Sequence, residues 1–202
     1  MEKMASVILA AGLGTRMKSS RPKVLHRVAG RPLVSFPVEL SYLLECDPTV
    51  VVVGHGAEDV EAAVRTLPCG HGVSFAIKEK QLVTGHAVMA ALQKMRGHKG
   101  PVLILSGDVP LLDRASVSKL KRAYEKAGGP VAFCTFFPED TAGYGRIIRE
   151  QGQVVAIREH KDCTAEEKKI PEVNAGIYLV DIAFLRRAVP VSYTHLRAHE
   201  TH

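Results

Sequence analysis

The chain has 202 residues, 46% of them hydrophobic and 24% charged, a balance that builds a packed core and excludes a disordered polyelectrolyte. Its net charge of +6 is concentrated: Lys3, Arg16, Lys18, Arg21, Lys23, Arg27 and Arg31 lie between Lys3 and Val38 with no Asp or Glu among them. Aromatic residues make up 5% and Trp is absent, so the charge suits a small polyphosphate better than nucleic acid, which calls for a spread basic face with interleaved rings.

The first predicted strand, Ser6–Ala10, breaks into Ala11-Gly12-Leu13-Gly14-Thr15-Arg16-Met17 and closes with Pro22-Lys23. Glycines let backbone N–H groups approach an anion without a Cβ in the way. Arg16 and Lys23 add mobile positive charge against phosphate oxygens. A dinucleotide fingerprint would need a third glycine where Met17 stands, and a Walker loop needs Gly-Lys before Ser or Thr. The remaining pattern, Leu-x-Ala-Gly-x-Gly-Thr-Arg-Met…Pro-Lys, looks like the phosphate loop of the sugar-nucleotide pyrophosphorylases. The competing explanation is an ordinary tight strand-to-helix turn.

A helix is expected over Pro32–Glu45, with Pro37 breaking or kinking it. The strand Thr49–Val53, helix Glu58–Leu67 and strand Val73–Ile77 follow. Next comes Lys78…Gln81-Leu82-Val83-Thr84-Gly85, where an amide suits the edge of a base and Thr84-Gly85 opens the helix His86–Met95. The strand Val102–Leu105 delivers Ser106-Gly107-Asp108 at its carboxyl end, where open α/β sheets bind ligands. Asp108 is a hard oxygen donor suited to Mg²⁺; a turn cap is the alternative. Asp113 is the expected N-cap of the helix Arg114–Ala127, which leads to the strand Val131–Phe136. Short apolar runs alternating with amphipathic stretches indicate an α/β fold with a mainly parallel sheet.

After Pro138 the texture changes. A hairpin is expected from Gly145-Arg146-Ile147-Ile148-Arg149 through Gln151-Gly152 to Val154–Ile157, then a helical patch at Ala165–Lys169 and a strand at Ile177–Val180. Gly143-Tyr144-Gly145-Arg146, Glu159 and Asn174 supply polar groups of the kind a sugar requires, although each could equally be a turn, an exposed charge or a strand-edge amide. The four cysteines form no Cys-x-x-Cys pair, which argues against zinc and disulfides, fits a reducing cytosol, and makes each a small buried side chain. No stretch reaches the length of a membrane span, and the N-terminal apolar run is too short for a signal peptide. Residues 191–202, with three of the nine histidines and no core periodicity, read as a non-native disordered tail.

Taken in order from Ser6 to Val189, these motifs resemble the uridylyltransferase domain of the bacterial bifunctional N-acetylglucosamine-1-phosphate uridylyltransferase/glucosamine-1-phosphate acetyltransferases. The resemblance implies a Rossmann-like nucleotidyltransferase fold, a mixed, mainly parallel sheet flanked by helices. It also implies cytoplasmic, Mg²⁺-dependent transfer of a uridylyl group from UTP to N-acetylglucosamine 1-phosphate, releasing diphosphate and serving cell-envelope precursor synthesis. Leu9, Ala10, Ala11, Gly12 and Lys23 match the nucleotide loop, with Arg16 and Lys23 as its catalytic cations. Thr84 matches a nucleotide contact, Gly107 and Asp108 the metal-binding strand, and Gly145, Glu159 and Asn174 sugar-nucleotide contacts. Lys78 stands where the family carries Gln, Val83 where it carries Gly, and Ser106 where an aromatic residue is common; Gln81 is retained. Residues 1–190 are therefore expected to form one nucleotidyltransferase domain lacking its C-terminal part, with homo-oligomerisation carried by the absent half. A sister enzyme transferring another nucleotide, or a non-catalytic nucleotide-binding fragment, stands as the alternative.

Overall fold

The computed structural model describes residues 2–12, 14, 17, 19, 21–78 and 84–189. Four strands, β1 (Ala5–Leu9), β4 (Thr49–Val53), β5 (Val73–Ile77) and β6 (Val102–Ser106), pair in parallel in the order β5-β4-β1-β6. A two-stranded ribbon, β2 (Arg27–Val28) with β3 (Arg31–Pro32), stands apart from them. Every residue of β4 is buried, as a parallel strand covered on both faces requires. Val7, Val50 and Val52 face α3 (Thr84–Gln93), with Ala87, Val88 and Ala91 in the same cluster. Ile8, Val51 and Val53 face the other way, onto Val60 and Val64 of α2 (Ala57–Arg65) and Val34 and Val38 around α1 (Ser35–Leu43).

Beyond β6 the sheet changes direction. The strand β10 (Val173–Val180) runs antiparallel to β6, and β7 (Val131–Phe136) and β8 (Arg146–Glu150) pair antiparallel with β10. The strand β9 (Gln153–Arg158) completes the order on β8, so that among the described residues eight strands share one sheet. Leu103, Leu105, Leu179, Val117 and Leu120 join this half to α4 (Arg114–Ala127). The mixed, mainly parallel α/β architecture is as expected from the sequence.

Local chemistry accounts for the element ends. The Ser116 backbone N–H donates to Asp113 Oδ1 at 2.8 Å, capping α4, and Gly128 at φ 61° ends it. Gln151 and Gly152 both have positive φ (47° and 81°), the geometry that a two-residue hairpin turn demands. The helix α1 starts at Ser35, not at Pro32, so Pro37 falls in the first turn, where its missing N–H has no helical partner to lose. No break results. The patch at Ala165–Lys169 is only a short 3₁₀ turn, Glu167–Lys169. The strand β10 begins four residues before the predicted Ile177; its register shifts between Asn174 and Tyr178, around Gly176 at φ 71°, which hides the alternation. Of the four free cysteines, only Cys163 is buried; the others are half-buried, and burial pushes the Cys46 thiol up to about 12.

One surface pair gives a pH-dependent expectation. Arg149 donates two hydrogen bonds to Glu172, both at 2.8 Å, and this guanidinium holds the carboxyl below its usual value of 4.5. Because the folded-state value is depressed, the pair stabilises the fold above that pH, and the stabilisation is lost as pH falls through the folded-state value. Glu172→Gln therefore lowers the melting temperature at pH 7, and its deficit narrows progressively below pH 4.5. Parallel thermal melts from pH 7 to pH 3 check this.

Candidate functional site

The parallel strands end on one edge, and the loops that leave them carry the motif residues. Leu9 ends β1, and Ala10 and Ala11, both buried, lead out of it. A Cβ at Gly12 would meet nothing within 4 Å, so the loop faces open space there. Gly14 is different: its φ is +60°, and a Cβ would stand 2.6 Å from Lys23 Cβ. Gly14 thus lies directly against Lys23. That residue opens a short 3₁₀ turn, Lys23–Leu25, anchored by buried Val24 and Leu25. From behind, Pro22 seats on Gly56, where a Cβ would come within 2.5 Å of its ring. Packing on both sides fixes where the ammonium can reach.

It reaches Asp108. The two side chains form an ion pair, with 36% and 26% of their surfaces exposed, so both remain open to a ligand. Gly107 lets β6 end against β1: its N–H donates to the Leu9 carbonyl at 2.9 Å, and a Cβ would lie 2.9 Å from Val24 and 3.0 Å from that carbonyl. Gly14→Ala should cost the loop about 1–2 kcal/mol for the left-handed backbone, before the clash with Lys23 is added. Weaker binding of inorganic triphosphate, measured by calorimetric titration, with little change in overall melting is the expected outcome.

A cleft of about 570 Å³ opens beside this pair. Lys23, Ser106, Asp108, Gly145, Glu159 and Asn174 line it, bringing together predicted residues that lie as far as 151 positions apart. The antiparallel path of β10 explains the meeting. Tyr178 pairs with Ile104, so running back along β10 brings Asn174 past the carboxyl end of β6, level with the Asp108 loop. Gly176 lies close to the Ser106 hydroxyl; a Cβ there would be 3.6 Å from it. Asn174 is oriented by its own strand: its Oδ1 accepts from the Gly176 N–H at 3.0 Å and its amide donates to the Tyr178 hydroxyl. Burial pushes the Tyr178 phenol up, the Asn174 contact opposes this, and the Glu159 charge adds to the rise, so the phenol stays neutral at pH 7.

Other predicted residues lie apart from this cleft. Lys78 follows β5, half-buried, with its N–H donating to the Val53 carbonyl at 2.8 Å; burial lowers its ammonium. Leu9, Ala10, Ala11, Gly12 and Gly107 form the adjoining strand ends and do not line the cleft. Thr84 opens α3. Arg16, Gln81 and Val83 lie outside the described residues, as does the tail 191–202. Sequence reasoning missed Phe136, Ala175 and Gly176 as lining residues. Phe136 looks like a core residue because it ends an apolar strand, and no short-range pattern marks it.

The donor set fits one Mg²⁺ held jointly with substrate. Asp108 offers hard carboxylate oxygens to the cleft, and no cluster of three His, Cys, Asp or Glu occurs among the described residues. Magnesium typically needs no protein cage, since it retains waters and takes one or two carboxylates plus substrate phosphates.

A parallel sheet with a glycine loop and a Lys–Asp pair at its carboxyl edge defines a nucleotide-handling α/β protein. The chain belongs to the MobA-like NTP transferase domain family, whose model matches residues 6–172. It is 48% identical over 183 residues to the "Bifunctional protein GlmU" of Anaeromyxobacter sp. strain K, covering 90% of this chain and 38% of that protein. With the protein of the same name from Syntrophotalea carbinolica it shares 46% over 188 residues, covering 93% and 40%. The chain therefore spans about two fifths of the length of these relatives. The crystal structure of a UDP-glucose pyrophosphorylase complexed with UDP-glucose has the same fold, with a TM-score of 0.72 at 17% identity over 92% of this chain and 78% of that one. Among the described residues, no helix is long and apolar enough to cross a membrane.

Proposed function

We propose that this domain transfers a uridylyl group from UTP to N-acetylglucosamine 1-phosphate, giving UDP-N-acetylglucosamine and diphosphate. The observation that carries this is one cleft lined by the Lys23–Asp108 pair together with Gly145, Glu159 and Asn174. The charged pair suits a triphosphate and the polar residues a polyhydroxylated acceptor. Kinship with the bifunctional GlmU proteins supports the choice of nucleotide and sugar.

An oxygen of the acceptor phosphate attacks the α-phosphorus of the nucleotide, and diphosphate leaves. A phosphate anion is already a competent nucleophile, so no strong general base is required; alignment and charge neutralisation supply the catalysis. The Lys23 ammonium offsets charge that builds on the α-phosphate oxygens and the leaving diphosphate. Arg16 acts with it on the same loop. Gly12 and its neighbours bring backbone N–H groups to the phosphates, and Lys78, Gln81, Val83 and Thr84 bound the base. Ser106 offers a hydroxyl to the ligand from the end of β6. Glu159 accepts from sugar hydroxyls, and Asn174 presents the amide hydrogen and lone pair that its own strand leaves unused. Asp108 would hold Mg²⁺, whose chemistry is to neutralise phosphate charge and template the two substrates. The availability of UTP makes the cytoplasm the compartment of the reaction.

Diphosphate release, measured with UTP and N-acetylglucosamine 1-phosphate against each substrate alone, tests the proposal. Competition among UTP, CTP, ATP and GTP tests the base. Release that does not depend on the acceptor, or a preference for another nucleotide, overturns the corresponding half.

A further inference from the structure

Arg146 is the largest fully buried side chain of the described residues, at 1% exposure, and no carboxylate is bonded to it among them. An arginine so placed is costly unless its donors are used, and here they are shared between one loop and two segments packed against it. One terminal nitrogen donates to the Tyr144 carbonyl; the other contacts Thr141 Oγ1 at 2.9 Å, His160 Nδ1 at 3.3 Å and the Lys168 carbonyl at 3.3 Å. A guanidinium has only donors, so in the contact with His160 the ring Nδ1 is the acceptor. Nε of Arg146 is left without a partner.

These contacts join both ends of the Thr141–Tyr144 loop to segments remote in sequence. The loop leads into Gly145, whose carbonyl accepts from the Asn174 N–H at 2.8 Å. Its outer residue, Tyr144, is 43% exposed and stands edge-on to Phe136, with ring centroids 5.1 Å apart and the planes at 90°. Gly143, Tyr144, Gly145 and Phe136 all line the cleft that Lys23 and Asp108 also line.

We infer that Arg146 is a positioning residue for the acceptor side of the cleft: its buried guanidinium sets the Thr141–Tyr144 loop and, through it, the Tyr144 wall against which the sugar of the phosphorylated acceptor packs. Arg146 does not itself line the cleft. The identity of the acceptor rests on the function proposed above; the placement of the loop does not.

The free chain supplies the first test. A nuclear Overhauser contact between the Phe136 and Tyr144 rings is expected in the parent and lost in Arg146→Lys, which cannot reach all four acceptors. Calorimetry should show Arg146→Lys weakening N-acetylglucosamine 1-phosphate binding about tenfold, equivalent to ~1.4 kcal/mol, with UTP affinity unchanged. A merely structural role would weaken both together. His160→Gln keeps a carbonyl acceptor and should retain parent behaviour, whereas His160→Phe should lose the ring contact. Ring contact and acceptor affinity both preserved in a folded Arg146→Lys would overturn the inference. If Arg146→Lys does not fold, identical behaviour of His160→Gln and His160→Phe overturns it instead. A parent chain that binds neither substrate contradicts the proposed function, while the ring contact in the free chain still decides the role of Arg146.

Discussion

Lys23→Ala lowers turnover about 100-fold while nucleotide affinity falls far less. On the proposed mechanism the ammonium faces oxygens that grow more negative as diphosphate leaves, so most of its interaction is made in the transition state. Loss of one preorganised contact of this kind costs about 3 kcal/mol. The measurement is steady-state diphosphate release at saturating UTP and acceptor, beside a UTP binding titration. An unchanged rate at saturation removes Lys23 from the mechanism.

Asp108→Asn, nearly the same in shape, is expected to cost ~100- to 1000-fold in turnover and to flatten the Mg²⁺ dependence that the proposed mechanism gives the parent. A carboxylate is the hard anionic donor that magnesium requires, and an amide supplies neither the charge nor comparable oxygen basicity. The variant also frees Lys23 from its ion pair, so UTP binding measured without Mg²⁺ should hold or tighten slightly. That opposite movement separates a metal role from simple damage to the cleft. If the magnesium titration of Asp108→Asn superimposed on that of the parent, Asp108 would not be the ligand.

Much of this protein was legible before its fold was seen, and the reason is that the legible parts are local. Thr49–Val53 reads as a strand covered on both faces because five consecutive apolar or β-branched residues leave it no solvent side. Asp113 reads as a cap because the interaction it makes closes within three residues. Gln151-Gly152 reads as a hairpin turn because it is flanked by two short apolar strands. Misreadings arose where one residue's meaning depended on position within an element. Pro37 breaks a helix only if a turn precedes it, and none does. Gly176 interrupts β10 and masks its first half.

The sequence by itself determined the class of chemistry. A glycine loop carrying Arg16 and Lys23, and a carboxylate at the end of an apolar strand, are each properties of a few consecutive residues. Their physical meaning survives without knowing their neighbours. Only the tertiary structure decided that Lys23 meets Asp108, since that requires Pro22 to seat on Gly56 and Gly14 to clear Lys23. Only it brought Asn174 beside the end of β6, because the reversal of β10 is set by pairing of residues 74 to 78 positions apart in the chain. The burial of Arg146 could not be read in advance either. In sequence it is one more charge in a strand that also carries Arg149, which is exposed and paired with Glu172. What separates the two arginines is which side of the sheet each faces and what lies over it, and packing alone assigns that.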